Sequence, residues 1–279
     1  MTAEDERPLV AGVVGWPIMH SKSPRLFDYW FAAREVPGRY VPLAVRPEDF
    51  RDVLHSLPKA GFRGVNVTVP HKERAFAMAD TRSAVAEAIG AANTLIFGED
   101  GSIAADNTDA YGFIENLKAG APHWDASAAP AVVLGAGGAA LAVVYALLEA
   151  GVPSVTVMNR SEERARAIAD RFGQRVTVRP WSERAAGLDG AELLVNTTVL
   201  GMLGKPALDL PLDALPSSSV VNDIVYAPLE TDLLACARAR GNPVVDGLGM
   251  LLHQARPGFR AWFGADPVVD EGLRRAVLA

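Results

Sequence analysis

The chain has 279 residues, of which 49% are hydrophobic and 22% charged, the balance of a soluble globular protein with room for two cores. A formal net charge of -6 speaks against a nucleic-acid partner, which needs a basic face. A single cysteine, Cys236, excludes an internal disulfide and fits a reducing compartment.

The first ten residues, "MTAEDERPLV", are acidic where a secretory leader carries basic residues. The longest apolar stretches, such as "AALAVVYALL", fall well short of the roughly 20 residues that span a bilayer. The expectation is a cytoplasmic protein without a membrane partner. Along the first half, β-rich runs stand at "LVAGVVG", "RYVPLAV", "GVNVTV" and "ANTLIF", with helical patterns between them. One helix is expected over "SPRLFDYWFAAREV", with Ser23 as its cap and Pro24 in its first turn. Another is expected from "RPEDFRDVLHSL", again opened by a proline, and "FGEDGSIA" reads as a hairpin turn on Asp100 and Gly101. A helix follows at "TDAYGFIENLKAG", then the small, polar, proline-bounded loop "APHWDASAAP".

The second half opens with "AVVLGAGGAALAVVYALLEAG", a strand, a glycine turn and a helix. Strands at "SVTVMN", "RVTV", "ELLVNTT", "SVVNDIV" and "PVVD" follow at α/β spacing, and the tail from "GLGMLLHQA" is helical with a break near Pro257. Alternation of strands and helices throughout predicts an α/β protein built on parallel sheets.

The glycine turn places Gly135, Gly137 and Gly138 in a G-x-G-x-x-A pattern that ends at Ala140. Small residues there let backbone amides and a helix N-terminus approach a pyrophosphate. An NAD site calls for a carboxylate at the end of the next strand. Here that strand ends in Asn159, Arg160 and Ser161, with Arg164 one turn on. A guanidinium suits the extra phosphate of NADP, so NADP is favoured over NAD, although Glu162 and Glu163 add negative charge nearby. In the first half, polar residues gather at strand ends and turns: Ser21, Ser23, Thr68, Lys72, Asn93, Asp106, Asn107 and Asp109. Hydroxyls, amides, a lysine and carboxylates suit a small polyhydroxylated acid. No His/Cys/Asp/Glu spacing suggests a metal site.

At these residues the sequence resembles the shikimate dehydrogenase family along nearly its whole length. The matching segments are "HSKSP" (20–24), "NVTVPHK" (66–72), "AANT" (91–94), "DNTDAYGF" (106–113), "GAGGAA" (135–140), "NRS" (159–161), "DIVYAPLET" (223–231) and "GLGMLLHQA" (247–255). The resemblance implies a two-domain α/β enzyme with a cleft between the domains. Residues 1–112 with 251–279 would form the substrate domain, and 113–250 a Rossmann domain for NADP. The activity implied is the reversible NADPH-dependent reduction of 3-dehydroshikimate to shikimate, in aromatic amino-acid biosynthesis. By similarity, Ser21, Ser23 and Tyr226 would bind the substrate carboxylate, and Thr68, Asn93 and Gln254 its ring hydroxyls. Lys72 and Asp109 match the catalytic pair. Gly135, Gly137, Gly138 and Ala139 would face the pyrophosphate, and Asn159, Arg160, Ser161 and Arg164 the adenosine end. Thr197, Met202, Gly247 and Met250 would lie on the nicotinamide side.

The chain departs from the common family pattern at Ala105, Leu141 and Ser161. A sister activity on quinate or aminoshikimate therefore stays open, as does a non-catalytic NADP-binding regulator. A methylenetetrahydrofolate dehydrogenase would share the two-domain shape but not the "SKS" and "NTD" segments. The expected partner is a small-molecule substrate, and the expected assembly a monomer or homodimer.

Overall fold

The computed structural model describes residues 9–279, so the acidic stretch 1–8 lies outside the described residues. The chain divides into two compact units. The first runs up to Thr108 and takes back Gln254–Ala279; the second is Asp109–His253.

Six strands form the sheet of the first unit: β1 (Val10–Gly15), β2 (Arg39–Ala44), β3 (Phe62–Val67), β4 (Thr81–Arg82), β5 (Thr94–Phe97) and β6 (Ile103–Asp106). Between them lie α1 (Ser23–Arg34), α2 (Phe50–Ser56), α3 (Lys72–Met78) and α4 (Ala84–Ile89). The second unit continues with α5 (Asp109–Gly120), β7 (Ala131–Leu134), α6 (Gly138–Glu149), β8 (Val155–Asn159), α7 (Glu162–Phe172) and β9 (Val176–Pro180). Then come β10 (Leu193–Asn196), β11 (Val220–Asp223), α8 (Asp232–Ala239), β12 (Val244–Val245), α9 (Leu248–Phe263) and α10 (Glu271–Leu278). The limit between the units falls inside α9. The units divide after Thr108 and after His253, where the sequence reading sets breaks after 112 and 250.

The first sheet has the order β2-β1-β3-β5-β6-β4. It is parallel across β2, β1 and β3 and where β4 meets β6, but antiparallel where β5 meets β3 and β6, the latter pairing being the hairpin expected at Asp100 and Gly101. The β5–β6 hairpin turns at Gly101, whose φ of 85° only glycine takes cheaply, and Asp100 Oδ1 accepts from Ser102 N at 3.0 Å. Side chains alternate along β3. Val65 and Val67 join an apolar core with Phe50, Leu54, Ala75 and Leu95. Gly64 and Asn66 face the opposite side, where Phe27 stacks on Tyr40 at 3.7 Å and packs against Phe259 and Trp262. The sheet is thus covered on both faces.

The second sheet reads β9-β8-β7-β10-β11-β12 and every pairing in it is parallel. That is the 3-2-1-4-5-6 order of a doubly wound dinucleotide fold, with its reversal point between β7 and β10. β7 is buried along its whole length, as a central parallel strand must be.

Three local expectations need correction. Ser23 is the first residue of α1 rather than its cap; Lys22 holds the cap position without a capping bond from its side chain, and Ser21 Oγ accepts from Ser23 N at 3.2 Å. α2 starts at Phe50, three residues past Pro47, where a buried phenylalanine anchors its first turn. Pro257 does not break the last long helix; α9 runs through it to Phe263. Burial of Phe259 and the bond from Trp262 Nε1 to Leu95 O, 3.0 Å, hold the helix beyond the proline.

A Cβ on Gly64 would collide with the Trp262 indole and with Leu95 O. Gly64→Ala is therefore expected to destabilise the first unit by about 1–3 kcal/mol through overpacking. Urea unfolding measures this, and an unchanged midpoint would contradict the packing described.

Candidate active site

The ends of β1 and β3 lie side by side. Thr68 N bonds Val14 O at 2.9 Å and Trp16 N bonds Val69 O at 3.1 Å. The loop after β1 leads to α1 on the Phe27 face, whereas the loop after β3 leads to α3, whose Ala75 sits in the opposite core. Loops that part in this way leave a crevice at the carboxyl edge of a sheet. Ser21, Ser23, Thr68 and Lys72 all stand on these two loops or at the helix starts they feed.

The antiparallel strands add to the same edge. Because β5 runs against β3, its beginning lies beside the end of β3, and Val67 N bonds Asn93 O at 2.8 Å. Because β6 runs against β5, its end returns there, and Asn93 N bonds Asp106 O at 3.1 Å. Thr108 follows, and Asp109 opens α5 with its side chain buried. Lys72 opens α3, and its carbonyl accepts from Ala92 N at 3.0 Å.

A buried hydrogen-bonded chain supports this edge. The Tyr40 hydroxyl donates to Asn66 Oδ1 at 2.7 Å, and Asn66 Nδ2 donates to Thr94 Oγ1 at 3.1 Å and Asn93 O at 3.2 Å. Asn93 Oδ1 accepts from Thr108 N at 2.7 Å and from Thr94 Oγ1 at 3.1 Å. Asn93 Nδ2 donates to Thr108 Oγ1 at 3.0 Å and to Gln254 Oε1 at 3.2 Å. Full burial pushes the Tyr40 phenol well above its ordinary pKa, so it stays a donor. His71, next to Lys72, is also buried: it stacks on Phe50 at 4.4 Å with Nε2 2.8 Å from Val45 O. Burial lowers its pKa, opposed by the Val45 bond and aided by Arg74, so it is a neutral ring that pins the start of α3.

Against this paired background, some polar groups stand open. The hydroxyls of Ser21, Ser23, Thr68 and Tyr226 donate no hydrogen bond among the described residues. Burial raises the Tyr226 pKa, keeping that phenol a donor too.

In the second unit Gly135 follows β7 with φ 109°, and a Cβ there would sit 2.5 Å from Thr197 Oγ1. Thr197 in turn donates to Leu134 O at 2.7 Å, so the turn is held tightly at the reversal point. Gly137 caps α6 without a side-chain bond, and a Cβ on Gly137 or Gly138 would meet only open space. Open backbone amides at the positive end of a 12-residue helix fit a pyrophosphate. At the end of β8, Asn159 Nδ2 donates to Ser161 O at 2.9 Å, and Ser161 holds the cap position of α7 without a side-chain bond. Glu162 pairs with Arg166, which leaves Arg160 and Arg164 exposed and unpaired among the described residues. This donor set fits a nucleotide bearing an additional phosphate. Ala139 follows in the first turn of α6, and Met202 lies on the loop after β10. Gly247 and Met250 are buried around the start of α9; a Cβ on Gly247 would collide with Ile224 O.

Sequence reading passes over Tyr40, Thr94 and Thr108, whose roles come from burial. It also passes over Asn196 and Asp223, each the last residue of a buried strand. An aspartate inside the apolar run "SVVNDIV" is the available signal. No cluster of His, Cys, Asp and Glu able to hold a metal occurs among the described residues.

Comparisons with known proteins agree with this layout. The shikimate dehydrogenase substrate binding domain matches residues 13–95, and the shikimate / quinate 5-dehydrogenase family matches residues 119–200. The chain is similar to a shikimate dehydrogenase (NADP(+)) of Paramagnetospirillum magneticum, 57% identical over 97% of this chain and 98% of the relative. It is also similar in structure to shikimate 5-dehydrogenase of Thermus thermophilus, solved with NADP(H) and shikimate. That likeness has a TM-score of 0.86 at 39% identity and covers 96% of this chain and 98% of that one. Quinate dehydrogenase of Corynebacterium glutamicum, solved with NAD, has a TM-score of 0.90 at 30% identity, covering 97% and 99%.

Burial raises the Asp223 pKa to about 6, only partly opposed by bonds from Val225, Thr231 and Asn196. A folded pKa above the unfolded one means that stability from this group is present at low pH and lost as pH rises through about 6. Relative to wild type, Asp223→Asn is expected to gain about 2 kcal/mol between pH 4 and pH 7.5. Urea unfolding at both pH values checks this, and a difference independent of pH would refute it.

Proposed function

Taking as premise that the chain belongs to the shikimate dehydrogenase family, we propose that it catalyses the reversible NADPH-dependent reduction of 3-dehydroshikimate to shikimate. This places it in aromatic amino-acid biosynthesis. The observation that carries the reading is the contrast at the carboxyl edge of the first sheet. Asn66, Thr94 and Thr108 are bonded to the protein, while the hydroxyls of Ser21, Ser23 and Thr68 have hydrogens to give.

In this reading residues 1–112 with 251–279 act as the substrate domain and 113–250 as the cofactor domain, give or take the few residues that separate these limits from the compact units. Ser21 and Ser23 bind the substrate carboxylate, and the Tyr226 phenol adds a further donor. Thr68, Asn93 and Gln254 bind ring hydroxyls, the last two by exchanging their mutual 3.2 Å bond for bonds to the ring. Gly135, Gly137, Gly138 and Ala139 face the pyrophosphate, with Asn159, Arg160, Ser161 and Arg164 around the adenosine phosphate. Thr197, Met202, Gly247 and Met250 border the nicotinamide.

Bound NADPH supplies a hydride to the carbonyl carbon. The oxygen left behind gains negative charge, which the Lys72 ammonium stabilises and then neutralises with a proton. In the oxidative direction the amine takes that proton back. Asp109 orients Lys72 and the substrate hydroxyl. The assembly proposed is a monomer or homodimer in the cytoplasm; no helix among the described residues is long and apolar enough to cross a membrane.

Action on quinate with NAD is a second reading, favoured by the likeness to the Corynebacterium enzyme. The higher identity to NADP-dependent relatives and the open Arg160 and Arg164 support the first. Initial rates of nicotinamide reduction, with shikimate or quinate and NADP or NAD, separate the two. Fast turnover confined to shikimate with NADP is expected, and preference for quinate or NAD would overturn the proposal. Lys72→Met is expected to lower kcat by about 10²-fold or more; near-normal turnover would remove Lys72 from the chemistry. Arg160→Ala is expected to raise the KM for NADP about tenfold while leaving the KM for shikimate in place, and an equal rise in both would contradict its assignment.

A further inference from the structure

Asp223 ends β11 with no solvent exposure and no ion-pair partner among the described residues. Its carboxylate is instead met by donors from three segments. Oδ1 accepts from Asn196 Nδ2 and from Val225 N, both at 3.0 Å, and Oδ2 accepts from the Thr231 hydroxyl at 2.7 Å. Thr231 caps α8, accepting from Leu234 N.

Asn196, the last residue of β10, extends the network. Its Oδ1 accepts from Thr198 N at 3.0 Å and from the Thr198 hydroxyl at 2.8 Å, and its Nδ2 reaches Leu200 O at 3.2 Å. Leu200 N then bonds Thr198 Oγ1 at 3.1 Å. The amide is thus wrapped by the turn that follows Thr197. Further along, Leu203 N bonds Ala227 O at 2.7 Å, which ties this segment to the one carrying Tyr226. A buried carboxylate held only by neutral donors is a costly way to join segments, and such groups fix one arrangement more than they add stability.

We propose that Asp223, acting with Asn196, is a positioning residue that locks the segment bearing Thr197 and Met202 to the segment bearing Tyr226. This rests on the functional reading above. On that reading, cofactor and substrate affinity depend on the same buried carboxylate, although Asp223 touches neither ligand.

Hydrogen exchange without any ligand tests the lock directly. Asp223→Ala is expected to speed exchange in residues 197–206 and 224–231 while β7 and β8 keep their protection. The same variant is expected to raise the KM for NADP and for shikimate together, each by about tenfold or more, and to weaken NADP binding followed by fluorescence titration. Asp223→Asn keeps the two bonds to Oδ1 and is expected to restore most of both affinities, with the Thr231 hydroxyl now accepting. Asn196→Ala, which leaves the carboxylate in place, gives the same readouts should the alanine variant at 223 fail to fold. Faster exchange spread over the whole second unit, a KM change for one ligand alone, or no rescue by asparagine would overturn the proposal. The exchange measurement carries no ligand, so it judges the lock even if shikimate proves not to be the substrate.

Discussion

Every polar group at the carboxyl edge of the first sheet owes its place to one constraint, the direction in which neighbouring strands run. β1 and β3 are parallel and send their loops to opposite faces, so the segments bearing Ser21 and Lys72 part around the same opening. Two reversals then bring Asn93 and Thr108 back to that edge, since β5 runs against β3 and β6 against β5. In the second unit every pairing is parallel, and it is the strand order that reverses between β7 and β10, where Gly135 and Thr197 meet. Chemistry separated by tens of residues in the chain is thus gathered by sheet topology, with Gln254 added from α9.

Hydrogen bonding then separates support from function. A buried amide or hydroxyl must be paired or it destabilises the fold. Tyr40, Asn66, Thr94 and Thr108 meet that demand among themselves and hold Asn93 in a single orientation. Groups at the crevice that keep a hydrogen in reserve are those available to a ligand. The glycine turn works by the same logic: a side chain would close Gly135 against Thr197, whereas Gly137 and Gly138 leave space above a helix end.

Much of this is legible in the sequence. The α/β class and the glycine turn follow from local patterns, because strand–turn–helix units carry their signals within a few residues, whereas the roles of the motif residues come from the family resemblance. Pairing direction is legible only in part: the turn at Asp100 and Gly101 announces that β6 runs against β5, but nothing within "ANTLIF" tells that β5 also runs against β3. Ser23 reads as a cap because Ser and Pro at a helix start satisfy the usual pattern, while the backbone turns one residue earlier. Pro257 reads as a break because propensity ignores the tertiary anchors Phe259 and Trp262. Asp223 and Asn196 pass unnoticed because their importance lies in what surrounds them, which only the folded strands reveal.

All of this turns on the carboxyl edge of the first sheet holding the substrate and that of the second sheet the cofactor. A crystal structure with shikimate and NADP decides the point. The shikimate ring is expected beside Thr68, Lys72 and Asn93, its carboxylate on Ser21 and Ser23, and the adenosine phosphate on Arg160. Shikimate density elsewhere, or an adenosine phosphate away from Arg160 and Arg164, would contradict it.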